Sequence, residues 1–151
     1  MYVKDVMNKT SVVCTEDVPL AQVYRLMQEN DCDYITVVES YAHRMPIGVI
    51  TEHEICFQII GKGRDPRGLT AASVMNTNVI KAPYTLTVTD CSNLMETKQA
   101  KRALVVNEDG MFCGTLTDFD LKNTKDKLQT ENVTGGEEFA RYDAVKINRI
   151  Y

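Results

Sequence analysis

Two four-residue segments carry the residue types best suited to chemistry in this chain: Thr117-Asp118-Phe119-Asp120 and Thr51-Glu52-His53-Glu54, each directly after an apolar run. A Thr where a strand gives way to a helix places its hydroxyl beside the free N–H groups of the first helical turn, a geometry that favours anions such as phosphate. An acid three residues later lies one turn above the Thr, where its two oxygens can accept from both hydroxyls of a ribose. Such charge-assisted hydrogen bonds contribute about 1.5–3 kcal/mol each when desolvated. The same spacing also defines the capping box, in which Thr and acid merely satisfy N–H groups at the helix end. Glu54 has the length that box prefers, so capping is weighted toward the first segment and ligand binding toward the second. The two sites are expected to be unequal.

Other chemistry finds little support. His43, within SYAHRMP, and His53 have no Cys, Ser or acidic companion at the spacing of a triad or a metal-binding helix face. Glu52, His53 and Glu54 are helix neighbours and point in different directions. There is no GxxxxGK[ST] or GxGxxG, so a bound nucleotide would act as a signal and not as a phosphoryl donor. No catalytic residue, metal or required cofactor is assigned. Cys14, Cys32, Cys56, Cys91 and Cys113 form no CxxC pair and read as small hydrophobes in a reducing compartment. A net charge of -4 argues against a nucleic-acid surface, and the one basic cluster, Lys62, Arg64 and Arg67, reads as a solvated linker. No run approaches a membrane span, and the first ten residues lack a secretory apolar stretch, so a cytoplasmic location is expected.

The elements that must position the two motifs come in duplicate. VKDVM at 3–7 matches AASVM at 71–75, and Met7 to Met75, Met27 to Met95 and Val37-Val38 to Val105-Val106 all share an offset of 68. GVIT at 48–51 then meets GTLT at 114–117 at an offset of 66, because ESYAHRMPI is two residues longer than NEDGMFC. Each copy reads as a short strand (Val12, Val13; Val79, Ile80) and an amphipathic helix. The first helix has Leu20, Val23, Tyr24 and Met27 on its face and Asp17 as N-cap; the second has Val88, Cys91, Leu94 and Met95. Two strands follow, Tyr34 to Val38 with Ile47 to Thr51, and Ala103 to Val106 with Phe112 to Thr117, the latter pair turning at Asp109-Gly110. A second helix in the first copy places Ile55, Cys56, Ile59 and Ile60 on one face and ends at Gly61. The expected organisation is a first repeat over 1–60, a linker over 61–70, a second repeat over 71–127, and a tail over 128–151 in which VTGGEE is a loop and ARYDAVKINRIY a strand or docking segment. Neither copy alone has much core, so the two should pack as a pseudo-two-fold pair.

Over about residues 3–122 the chain resembles a tandem pair of cystathionine β-synthase (CBS) domains, a Bateman module. The likeness rests on the VM starts, the Pro or Asp before each amphipathic helix, the VV strands, and the segment G-h-h-T-x-x-(acid)-h repeated in register. The resemblance implies an α+β fold of two βαββα repeats with two clefts between them for a regulatory adenine nucleotide or adenosyl compound (AMP, ADP, ATP or S-adenosylmethionine). It also implies a homodimer, no catalysis, and signalling to an effector protein yet to be identified. Carried over by position, Thr117 and Asp120 would hold ribose and phosphate with Thr115 as a wall; Thr51, Glu54 and Val49 are their counterparts, although Glu54 departs from the family's Asp. The opposite repeat would supply the adenine side: Asn8, Val12, Asp33 and Tyr34 for the Asp120 site, and Asn76, Ile80, Lys101 and Arg102 for the Glu54 site. Asp33 would accept from the adenine amino group, Lys101 and Arg102 would suit phosphates, and Tyr34 would either stack on the base or belong to the core. The alternative is a ligand-free dimerisation scaffold in which both T-x-x-acid motifs are only helix caps.

Overall fold

The computed structural model describes residues 1–9 and 12–130, so the tail beyond Thr130 lies outside the described residues. The fold is α+β, in two pseudo-equivalent halves. Short helix α1 (Val3–Val6) precedes β1 (Val13–Cys14), α2 (Leu20–Glu29), β2 (Tyr34–Val38), β3 (Pro46–Thr51) and α3 (Glu52–Cys56), which continues as a π-helical turn over Phe57–Gly61. The second half repeats the order with α4 (Ala71–Val74), β4 (Ile80–Pro83), α5 (Val88–Thr97), β5 (Arg102–Val106), β6 (Phe112–Thr117) and α6 (Asp118–Thr130). The sheets are β1-β2-β3 and β4-β5-β6, each with one parallel and one antiparallel pairing.

The two halves interlock. Although α1 opens the first sequence repeat, its Val3 is buried with Ala82, Val88, Cys91, Met95 and Leu116 of the second. The Val3 and Lys4 N–H groups donate to the carbonyls of Leu86 (2.8 Å) and Tyr84 (3.1 Å). Reciprocally, Ala71 and Val74 of α4 join Leu20, Val23, Met27, Ile35 and Ile50 in the core of the first. A third cluster, Val38, Val49, Leu104 and Phe112, fills the space between the two sheets.

This crossing explains why Gly and Met recur together. Asn8 bridges to Thr115 and Asn76 to Val49, drawing the segments after α1 and α4 onto β6 and β3. A Cβ on Gly114 would sit 2.8 Å from Met7 Sδ and 2.9 Å from the Asn8 carbonyl; on Gly48 it would sit 2.9 Å from Met75 Sδ and 3.1 Å from the Asn76 carbonyl. Glycine is required at both places because another backbone passes too close for a side chain.

Three local expectations are corrected. The N-cap of α2 is Pro19, whose carbonyl accepts from Gln22 and Val23. The proline holds the chain extended up to that point. Asp17 instead accepts from the Thr15 hydroxyl, and this bond holds its carboxyl below the usual range. Tyr24 flanks the buried stripe of Leu20, Val23 and Met27 and is 42% exposed. Past α3, Ile55 and Ile59 pack on the first core, whereas Cys56 is exposed and Ile60 is 81% exposed. The Lys62 N–H bonds to the Phe57 carbonyl across a wider π-helical turn, which breaks the single face that α-helical spacing would give.

Candidate functional site

Strand pairing brings the second T-x-x-acid motif to the seam between the halves. Arg102 is paired with Thr117 across β5 and β6, and the Asp118 N–H donates to the Lys101 carbonyl at 2.9 Å. The first half repeats this arrangement: Tyr34 is paired with Thr51, and the Glu52 N–H donates to the Asp33 carbonyl at 3.1 Å. A cleft of about 1110 Å³ opens between these two junctions. Its walls include Asn8, Val12, Asp33 and Tyr34 from one side and Thr117 and Asp120 from the other. These are the residues that the resemblance to CBS pairs assigns to the Asp120 site.

Lys101 and Arg102, which the resemblance assigns to the Glu54 site, line this cleft as well. The register fixes them there, because the residue opposite Thr117 cannot be far from it. Thr51, Glu54, Val49, Asn76 and Ile80 do not line it. Val49 is buried between the sheets and bridged to Asn76. Thr115 is fully buried and shares a 2.5 Å hydrogen bond with the Tyr34 hydroxyl, so it ties the two halves together behind the lining. Tyr34 is both a core and a cleft residue: it packs on the inter-sheet cluster while one ring face carries the Arg102 guanidinium at 4.0 Å.

Both motifs form reciprocal capping boxes. The Thr117 N–H donates to Asp120 Oδ2 and the Asp120 N–H to Thr117 Oγ1, each at 3.1 Å. In the first half the Thr51 N–H donates to Glu54 Oε2 at 3.0 Å and the Glu54 N–H to Thr51 Oγ1 at 3.4 Å, and the Thr51 hydroxyl also bonds to Glu54 Oε2. Capping is therefore common to both copies, and what separates them is that Thr117 and Asp120 border the cleft.

Several lining residues carry no sequence signal of their own: Gln28 and Asn30 at the end of α2, Asp31 and Cys32 in the turn after it, and Phe119. The turn itself was detectable. Asp31 and its counterpart Gln99 both adopt left-handed backbone, at φ 49° and 52°. Burial pushes the Cys32 thiol up, and nearby Asp33 and Asp31 add to the effect. Among the described residues no three His, Cys, Asp or Glu side chains gather to hold a metal, and no helix is long and apolar enough to cross a membrane.

Two interlocked α+β repeats with a cleft at their seam define a tandem-repeat module. The CBS domain model matches residues 3–61 and again 71–125, and the chain belongs to the CBS domain family. An uncharacterized protein from Methanopyrus kandleri is 29% identical over 76 residues, which are 50% of this chain and 39% of that relative's length. The CBS domain pair of protein MJ0100, solved in complex with 5'-methylthioadenosine and S-adenosyl-L-methionine, superposes with a TM-score of 0.71 at 18% identity, covering 84% of this chain and 97% of that one. CBSX2 from Arabidopsis thaliana, solved in complex with AMP, gives 0.67 at 17% identity, covering 85% and 98%. At these identities the likeness is one of fold.

Proposed function

We propose that this chain is a regulatory module that binds an adenine nucleotide or adenosyl compound in the cleft between its repeats and signals the bound state to a partner protein. The observation that carries this reading is the composite cleft, in which Asn8, Val12, Asp33 and Tyr34 oppose Thr117 and Asp120 in a space of about 1110 Å³. That volume is ample for a nucleoside. Asp33 is exposed in the wall where an amino group could donate to it, and partly buried Asp120 stands where ribose hydroxyls would lie. The adenosyl ligands of the MJ0100 pair and the AMP of CBSX2 support the ligand class.

The two capping boxes favour a second reading, a dimerisation scaffold in which Asp120 and Glu54 only finish helices. Thermal unfolding with AMP, ADP, ATP, S-adenosylmethionine and a dinucleotide separates the two. A ligand specific for the folded state must raise Tm as its concentration exceeds Kd. A dose-dependent rise with at least one compound is the result expected. A Tm unmoved by all of them would leave the scaffold.

A further inference from the structure

The charge of the cleft bears on which adenosyl ligand it takes. Five carboxylates, Asp31, Asp33, Glu52, Asp118 and Asp120, line it against two cations, Lys101 and Arg102, a formal balance of -3. The whole chain carries only -4, so the cleft concentrates most of the protein's net negative charge. Three of the acids, Asp31, Asp33 and Glu52, belong to the first repeat; at the position equivalent to Asp33 the second repeat has Lys101.

Several groups that would favour an anion are already engaged. The positive end of α6 faces two acids of its own first turn, Asp118 and Asp120. Asp120 Oδ2 takes the Thr117 N–H, and Thr117 Oγ1 takes the Asp120 N–H, so donors that a phosphate would seek are spent on the cap. The Arg102 guanidinium is stacked on the Tyr34 ring.

Resting on the reading that the cleft binds an adenosyl ligand, we infer that it selects by charge: it favours a nucleoside or an adenosyl compound with a neutral or cationic 5' substituent over nucleoside di- and triphosphates. Screened Coulomb repulsion from a -3 lining at about 8 Å weakens binding by about two- to threefold for each added phosphate near physiological salt.

Calorimetric titration of the full chain with adenosine, S-adenosylmethionine, AMP, ADP and ATP, in metal-free buffer, tests this. The expected affinity falls from adenosine and S-adenosylmethionine through AMP and ADP to ATP, and the spread narrows when salt rises from about 0.05 M to about 0.5 M. The double variant Asp31→Asn/Glu52→Gln should improve ATP by about tenfold relative to adenosine. Asn suits the left-handed backbone at position 31. ATP binding as tightly as adenosine, or a spread indifferent to salt, overturns the charge selection while leaving an adenosyl-binding cleft. No binding by any of the five overturns both.

Discussion

Replacing Asp120 with Ala removes two functions at once, and they can be separated by magnitude and by assay. The side chain caps α6 through the 3.1 Å bond from the Thr117 N–H, so its loss should cost about 0.5–2 kcal/mol of stability and lower Tm by a few degrees. If the carboxylate also accepts from ribose hydroxyls, losing one or two charge-assisted bonds weakens adenosyl-ligand affinity by about tenfold to a hundredfold. Stability is measured by denaturant unfolding without ligand, and affinity by calorimetry well below the lowered Tm. Glu54→Ala serves as the comparison, because it removes an equivalent cap from a residue that does not border the cleft. It should lose comparable stability with a smaller effect on affinity. If Asp120→Ala destabilises the protein yet binds ligand as tightly as the parent, Asp120 is a cap and nothing more.

Gly114→Ala should destabilise the fold by about 1–3 kcal/mol, because the new methyl lands 2.8 Å from Met7 Sδ and 2.9 Å from the Asn8 carbonyl; an unchanged denaturant midpoint would contradict that packing. Tyr34→Phe leaves the fully buried Thr115 hydroxyl without the partner it has across the halves, for a loss of about 1–3 kcal/mol in the same assay. Thiol alkylation at about pH 8 should label exposed Cys56 first and spare Cys14 and Cys91 in the folded state. Burial, with Asp17 second, pushes the Cys14 thiol up to about 11, so it stays protonated and inert until pH nears that value; comparable labelling rates at Cys14 and Cys56 by mass spectrometry would refute this.

The duplication was legible because the repeated residues do the same physical work twice. Gly48 and Gly114 each admit a Met and a carbonyl from a crossing segment, so the same residue types recur at both places. The strands and the α2 and α5 faces were legible from their periodicity, since Leu20, Val23 and Met27 and then Val88, Cys91 and Met95 bury as spaced. The crossing itself was not. VKDVM marks the start of a repeat, but nothing in those five residues says that Val3 fills the other repeat's core. Tyr24 satisfies a helical spacing rule and is still exposed, because only packing decides how wide the buried stripe is, and Ile60 is exposed because the π-helical turn breaks the α-helical face. Thr117, Asp120, Asn8, Val12, Asp33 and Tyr34 are placed together by the family resemblance, whereas the β5–β6 register shows that Lys101 and Arg102 line the same cleft.

Chemical-shift mapping of the isotope-labelled chain, titrated with adenosine or S-adenosylmethionine, locates the bound ligand on the fold. Binding in the cleft predicts saturable shifts that converge on Asn8, Val12, Asp33, Tyr34, Thr117 and Asp120, residues separated in sequence and joined only by the fold. Shifts centred elsewhere, or none at saturating ligand, would contradict it.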